Sequence, residues 1–223
     1  MIVIATNNGN EDLPRLLDSL EKYNYNNFPI CIVDTGSTNE EFISYIEELK
    51  TLNKYTIFNI EGGYDTGAYI HAYRNTNSDY YIFLQDSTEI KHEDFFKKLE
   101  EYSDKGCIFA FYIFTDPDNV GGFTPILEKY YDAESMANYQ FGIFGPMFAT
   151  SREVLDLIYE NNLYLIPANK GEQMAMERGW AIAAHKLGIL VYSFDMFNYD
   201  SLANDAYHHF RKYFHWGTEK NRE

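Results

Sequence analysis

Three times in succession a short run of apolar, mostly β-branched residues gives way to a segment with helical periodicity, and this alternation narrows what the chain can fold into more than anything else in it. IVIAT at 2–6 precedes Leu13, Leu16, Leu17 and Leu20, the i, i+3, i+4, i+7 spacing of one helix face, with Asn10 as the expected N-cap. ICIVD at 30–34 leads through a GST turn into a helix with Phe42, Ile46 and Leu49 facing inward, and TIFNI at 56–60 leads through GGYDTG into a third. Successive β-α units require a parallel sheet with right-handed crossovers. YYIFL at 80–84 shows no polar alternation, as expected for a strand covered on both faces. The predicted fold class is α/β, with a mostly parallel central sheet flanked by helices.

The second half reads differently. CIFAFYIF at 107–114 and FGIFGPMFAT at 141–150 are expected strands, separated by a long loop at 115–140. SREVLDLIYEN at 151–161 is an expected helix capped by Ser151, and another runs from about Glu172 to Leu187. No repeat or linker-like stretch divides the chain, so a single domain is expected over 1–223. A hydrophobic content of 45%, with Tyr 20 and Phe 17, supplies a core and excludes disordered and collagen-like classes. Eighteen basic against thirty-four acidic residues leave a net charge of −16, which repels a phosphate backbone and argues against a nucleic-acid partner. No apolar run approaches the roughly 18 residues of a membrane span, and the first residues lack the layout of a signal peptide. Cys31 and Cys107 lie in apolar runs, so buried free thiols and a cytoplasmic location are expected.

In parallel α/β sheets ligands bind beyond the carboxyl ends of the strands, which directs attention to TNNGN, DTGST, GGYDTG and QDSTE. Turn and cap chemistry accounts for any one of these loops; four on one rim point to a site. A dehydrogenase would carry GxGxxG after the first strand, where this chain has TNNGNED, and GxxxxGK[ST], CxxC, HExxH and GxSxG are absent. NAD-dependent and nucleotidyl-transfer chemistry thus lack their phosphate loop.

The order IVIATNN, CIVDTGST, GGYDTGAYIHAYRN, DYYIFLQDS, followed by FGIFGPMFATSREVL and ERGWAIAAHKLGI, resembles the GT-A-type glycosyltransferases, especially the inverting family-2-like group, over roughly residues 2–190. The resemblance implies a GT-A-like single domain with a nucleotide-sugar-binding half at 1–90, an acceptor and catalytic half at 91–195 and a C-terminal tail at 196–223. It implies transfer of a hexose or deoxyhexose from a nucleotide diphosphate sugar to a hydroxyl of a glycan or other acceptor, with inversion. Carried over by position, it sets Thr6 and Asn7 beside the nucleotide and gives Asp34 a hydrogen bond to base or ribose. Asp65 and Gly67 fall where the group often has Asn-x-Gly, lining the nucleoside pocket, and Gly62 and Gly63 allow close backbone approach. For each of these residues the structural alternative is a helix cap or a turn. A non-catalytic member of the same fold, binding nucleotide or glycan, is the second reading.

The group's metal motif is DxD, and here the strand ends Gln85-Asp86-Ser87. In one register Gln85 and Ser87 replace both aspartates; in the other, which is favoured, Asp86 is the ligand. A diphosphate brings charge that a chain of net −16 is poorly equipped to neutralise, and a hard cation, Mn²⁺ or Mg²⁺, held by one carboxylate and the phosphates meets that need. A metal-independent enzyme is the alternative, and Glu89 is either a further ligand or an exposed acid. GT-A-type enzymes commonly take another ligand from a late histidine. His208, His209 and His215 are available and no spacing rule selects among them; His208 is carried forward, with Arg211 and Lys212 nearby in a tail that could fold over a diphosphate.

On the 172–187 helix Trp180, Ala184 and Leu187 form an apolar stripe, and Glu177, three residues before Trp180, lies on it. A carboxylate there points inward and is desolvated beside Trp180, which raises its pKa toward the range a general base needs. Glu177 also falls where the resemblance, counted back from KLG, implies the catalytic base; Glu172 is the substitute candidate. Trp180 is counted with the substrate-binding residues. Tyr112, Phe123, Tyr130, Tyr131 and Tyr139 are either stacking faces for sugars or core. Gly145 would admit a sugar close to backbone, and Arg152 either caps the neighbouring turn or meets a phosphate.

Overall fold

Strand β1 (Ile2–Thr6) is buried at every position, because its alternate side chains enter two different cores. Val3 and Ala5 pack on one side of the sheet and Ile2 and Ile4 on the other. The computed structural model describes residues 1–24, 28–115, 120–138, 141–196 and 210–212. Within them β1 is followed by α1 (Asp12–Tyr23), β2 (Ile30–Asp34), α2 (Glu40–Thr51), β3 (Thr56–Asn59), α3 (Tyr64–Asn75) and β4 (Tyr80–Gln85). β1 pairs in parallel with β2 and β4, and β2 with β3. Leu13, Leu16, Leu17 and Leu20 of α1 and Phe42, Ile46 and Leu49 of α2 cover one face; Ala68, Tyr69 and Ala72 of α3 cover the other.

Then come β5 (Thr88–Ile90), α4 (Asp94–Glu100), β6 (Ile108–Phe114), α5 (Val120–Leu127), α6 (Ala133–Asn138), β7 (Gly142–Ile143), β8 (Phe148–Ser151), α7 (Arg152–Glu160), α8 (Lys170–Lys186), β9 (Val191–Met196) and β10 (Phe210–Lys212). The main sheet runs β3-β2-β1-β4-β8-β6-β7, with β9 also paired to β6. β8 is antiparallel to both β4 and β6, so the parallel character belongs to the β3–β4 half and the sheet is mixed beyond it. β10 pairs antiparallel with β5 and sends Phe210 into a cluster with Phe95, Phe111, Tyr112 and Phe194, whose ring centroids lie 4.9–5.9 Å from its own.

Three expectations change. Asn10 does not cap α1: Glu11 occupies that position without a side-chain cap bond, and the Asn10 amide donates to Asn39 Oδ1 at 3.2 Å. The stretch 115–140 is not one loop, since α5 and α6 form within it. Its glycine pair and Pro125 are poor helix formers, but Leu127 buries in the core beside α8, and packing overrides propensity. FGIFGPMFAT is two short strands rather than one, broken where Gly145 turns at φ +58°.

Arg152 ties the two halves together. Its guanidinium donates to the carbonyls of Thr76 (2.6 Å) and Ser78 (3.2 Å) and to the Tyr81 hydroxyl, and lies over the rings of Tyr73 and Tyr81. It therefore caps the α3–β4 turn and is spent there. Arg152→Ala leaves those carbonyls without a charged donor and is expected to cost about 2 kcal/mol in urea unfolding, with nucleotide affinity unchanged. A loss of nucleotide affinity at unaltered stability would contradict this role.

Candidate active site

The strand order places β1 between β2 on one side and β4 on the other, with α1 and α2 covering one face and α3 the opposite one. The chain runs outward from β1 to β2 and β3 and returns through α3 to β4 on the other side of β1, so the strand order reverses at β1 and a crevice opens at the carboxyl ends of β1 and β4. Thr6 and Asp86, 80 residues apart, meet there: the Thr6 hydroxyl donates to Asp86 Oδ2 at 2.8 Å, and both residues are almost wholly buried. Gly9 leaves a cradle beside them. A Cβ on Gly9 would lie 2.4 Å from Asp86 Oδ2 and 2.8 Å from Thr6 Oγ1.

Asn8 organises the adjoining rim from a left-handed backbone position (φ +51°) that asparagine tolerates. Its side-chain oxygen accepts from the Thr38 and Asn39 amides at 2.9 Å, and its own N–H donates to Ser37 Oγ at 2.7 Å. Asn7 donates to the Thr35 carbonyl at 3.3 Å. Asp34, buried at the end of β2, accepts from the Ser37 amide (3.1 Å) and hydroxyl (2.6 Å). The turn role and the site role thus coincide at Asp34: one carboxylate oxygen holds the loop that lines the crevice.

At α3 the chain passes through Gly62, Gly63 and Tyr64, all with positive φ (+69°, +84°, +50°). Gly67 packs under this turn; a Cβ on Gly63 would come within 3.1 Å of its Cα. The two glycines shape the turn that presents Asp65. The Asp65 carboxylate Oδ2 accepts from Gln85 Nε2 and, at 3.2 Å, from Gln173 Nε2 of α8. Gln85 is thereby drawn toward Asp65 and Asp86 toward Thr6.

Glu177 is half-buried on α8. Burial holds its carboxyl well above the usual range, at about 7; Arg178 and Lys170 pull the other way, Asp65 adds to the rise, and the Gly145 backbone hydrogen bond lowers it. Glu177 lies one helical turn beyond Gln173, whose amide donates to Asp65. Glu172 does not share this setting. Its carboxylate accepts from the Ala168 amide at 2.7 Å while Asn169 accepts from the Glu172 amide at 3.0 Å, a reciprocal cap at the start of α8.

Trp180 sits in the core, 2% exposed, with its ring centroid 4.9 Å from that of Phe148, so no face of it is open to a sugar. Tyr112 and Tyr131 are also core, and Glu89 pairs with Lys91 at 2.5 Å. His208, His209, His215 and Tyr139 lie outside the described residues. The expected buried thiols are found at Cys31 and Cys107, and among the described residues no helix is long and apolar enough to cross a membrane. Sequence reasoning missed Gly9, Asn8 and Gln173. Gln173 had one available signal, its place a turn before Glu177 on the same helix face.

Among the described residues no three His, Cys, Asp or Glu side chains come together as a metal cage. Asp86 offers one hard oxygen donor beside the close backbone approach of Gly9, so a divalent cation there would need a ligand's own oxygens to complete its coordination.

The raised Glu177 carboxyl has a sign that can be checked. Between the ordinary glutamate range and about pH 7 the folded chain retains a proton that the unfolded chain has released, so stability falls as pH rises through that window. Glu177→Gln removes the effect. Its stability relative to wild type, from urea unfolding at pH 4.5 and at about pH 8, is expected to rise by about 2–3 kcal/mol across the window. A constant difference would mean that Glu177 titrates as an ordinary surface acid.

The family described as Glycosyl transferase family 2 matches residues 1–169 of the chain. A comparison with curated proteins finds none that matches. Among solved structures, TarS of S. aureus aligns with a TM-score of 0.54 at 14% identity, over 96% of this chain and 36% of its own. The mannosyltransferase PcManGT from Pyrobaculum calidifontis, in complex with GDP-Man and Mn²⁺, aligns at 0.53 and 16% identity, over 86% and 53%. Glucosyl-3-phosphoglycerate synthase from Mycobacterium tuberculosis, in complex with Mn²⁺, UDP and phosphoglyceric acid, aligns at 0.53 and 17%, over 87% and 67%. At such identities the likeness is one of fold, and the chain spans about a third to a half of the length of TarS and PcManGT. With the match running from residue 1 to residue 169 and the mixed α/β sheet shared with GT-A enzymes, the chain belongs to glycosyl transferase family 2.

Proposed function

We propose that the chain transfers a hexose or deoxyhexose from a nucleoside diphosphate donor to a hydroxyl of a glycan or similar acceptor, with inversion at the anomeric carbon. What supports this reading is the match to glycosyl transferase family 2, together with Glu177, a carboxyl that burial raises to about 7, one helical turn from the Gln173 that holds Asp65. In this scheme residues 1–90 hold the donor, with Thr6, Asn7, Asp34, Asp65 and Gln85 around the nucleotide. Residues 91–195 bring the acceptor and the base. The two buried thiols fit a reducing compartment, and a cytoplasmic location is part of the proposal.

Glu177 takes the proton from the acceptor hydroxyl as that oxygen bonds to the anomeric carbon, and the bond to the diphosphate oxygen breaks on the opposite side. A base of pKa about 7 is half ionised at neutral pH and still strong enough to accept a proton. The Gly145 amide, hydrogen-bonded to Glu177, orients the carboxylate. Negative charge then collects on the departing diphosphate. Arg15, Arg74, Arg152 and Arg178 are each engaged with an acid, an aromatic ring or backbone carbonyls. Asp86, with the Gly9 cradle beside it, would hold Mn²⁺ or Mg²⁺, which when bound offsets that charge.

Thermal unfolding with UDP, GDP, dTDP and CDP, each with and without manganese, tests the donor half. A ligand at about a hundred times its dissociation constant adds about 2.7 kcal/mol, or roughly 5–10 °C for a chain of this size. One nucleotide is expected to give such a shift only with manganese, and Gly9→Ala or Asp86→Asn to weaken that binding at least about tenfold. Glu177→Gln is expected to keep donor binding and lose about 10²–10⁴-fold in nucleotide-releasing transfer. Full transfer by folded Glu177→Gln would overturn its role as base. Binding without turnover in wild type, over a broad acceptor panel, would favour a non-catalytic binder, a reading that the replacement of DxD by Gln85-Asp86-Ser87 also supports.

A further inference from the structure

Gln173 is a polar side chain only 1% exposed, and both ends of its amide are used. Its Oε1 accepts from the Thr66 backbone N–H at 3.4 Å and its Nε2 donates to Asp65 Oδ2 at 3.2 Å. One amide thus grips two consecutive residues in the first turn of α3. Gln173 and Glu177 are four residues apart on α8 and share a face of it. On the far side Asp65 is held by Gln85, whose neighbour Asp86 is tied to Thr6. The strand end that carries Asp86 is thus connected, through Gln85, Asp65 and Gln173, to the helix that carries Glu177.

We propose that Gln173 is a positioning residue for Glu177: its amide locks the Asp65 carboxylate against the helix face that bears the base, and so fixes the two acids relative to each other. This rests on reading Glu177 as the base. The geometry gives the lock a chemical purpose. Neighbouring carboxylates repel, and without the Gln173 donor Asp65 would lose its hold from the α8 side, keep that of Gln85 on β4, and move away from Glu177. The charged groups acting on Glu177 are Arg178 and Lys170 on its own helix and Asp65 on α3, with the Gly145 backbone opposite. Among these Asp65 is the acid, and Gln173 holds it from α8 itself. An apolar residue at 173 would fill the space without supplying the donor.

The test reads Glu177 directly and needs no substrate. The carboxyl carbon of Glu177 is followed by NMR in ¹³C-glutamate-labelled full-length protein, assigned by its disappearance in Glu177→Gln. In wild type it is expected to titrate near 7, as its burial requires. Gln173→Met keeps the shape and removes both hydrogen bonds, and is expected to lower the midpoint by about one pH unit. Asp65→Asn is expected to lower it comparably. In the double variant the Gln173→Met effect is expected to vanish, because the charge it positioned is gone. A merely structural glutamine would change the melting temperature without this coupling. Unchanged titration in folded Gln173→Met overturns the proposal, as does a shift that persists in the Asp65→Asn background. Should Gln173→Met not fold, Gln173→Asn, one methylene too short to reach Asp65, is read the same way. Because the titration is independent of transfer, failure of the glycosyl-transfer reading shows up in the transfer assay and failure of the lock shows up here.

Discussion

The hydrogen bond from Thr6 to Asp86 exists because two strands 80 residues apart in the chain run parallel and end together. The pairing of Ile2 to Ile82 through Ala5 to Gln85 brings the next residue on each strand, Thr6 and Asp86, side by side at the carboxyl edge of the sheet. Each polar loop of the first half is delivered to the same edge by the same rule. A slip of one residue would turn Val3 and Ala5 out of their core and carry Asp86 to the other face. The apolar pattern of β1 and β4, packed on both sides, thus protects the position of a carboxylate that contributes nothing to the core itself.

Electrostatics shape the crevice in a different manner. The chain carries sixteen more acidic than basic side chains, yet buries Asp34 and Asp86 and half-buries Asp65 and Glu177. Three of these acids are stabilised by donors: Ser37 for Asp34, Thr6 for Asp86, and two glutamine amides for Asp65. Glu177 meets chiefly desolvation and holds a proton more firmly in consequence. Carboxylates of the same chemistry thus differ in what surrounds them: three are tied by hydrogen-bond donors and one meets chiefly desolvation.

Much of this arrangement was legible in the sequence. The β-α alternation gave β1 to β4 and their helices, because apolar periodicity is a local property that packing reinforces on both sides. Glu177 was legible from its place on a helix stripe beside Trp180, and the four polar loops from their place after strands. The rest needed distant partners. Nothing near Asn10 reveals that Asn39 will claim its amide, and the glycines and Pro125 of the 115–140 stretch conceal two helices that form against α8. Trp180 looked equally suited to a sugar or to the core, since an indole serves both; Phe148, thirty-two residues earlier, decides it. Short strands such as β5 and β10 carry too few residues to show a period at all.

By itself the sequence determined the layer architecture, the edge at which ligands meet the sheet, and a shortlist of acids, because each follows from periodicity and turn chemistry within a dozen or so residues. The tertiary structure alone decided which acids come near one another, which accept hydrogen bonds from a donor and which meets chiefly desolvation. Those outcomes depend on distances between α3, α8 and the ends of β1 and β4, and a carboxylate's proton affinity is set by its spatial neighbours rather than its neighbours along the chain.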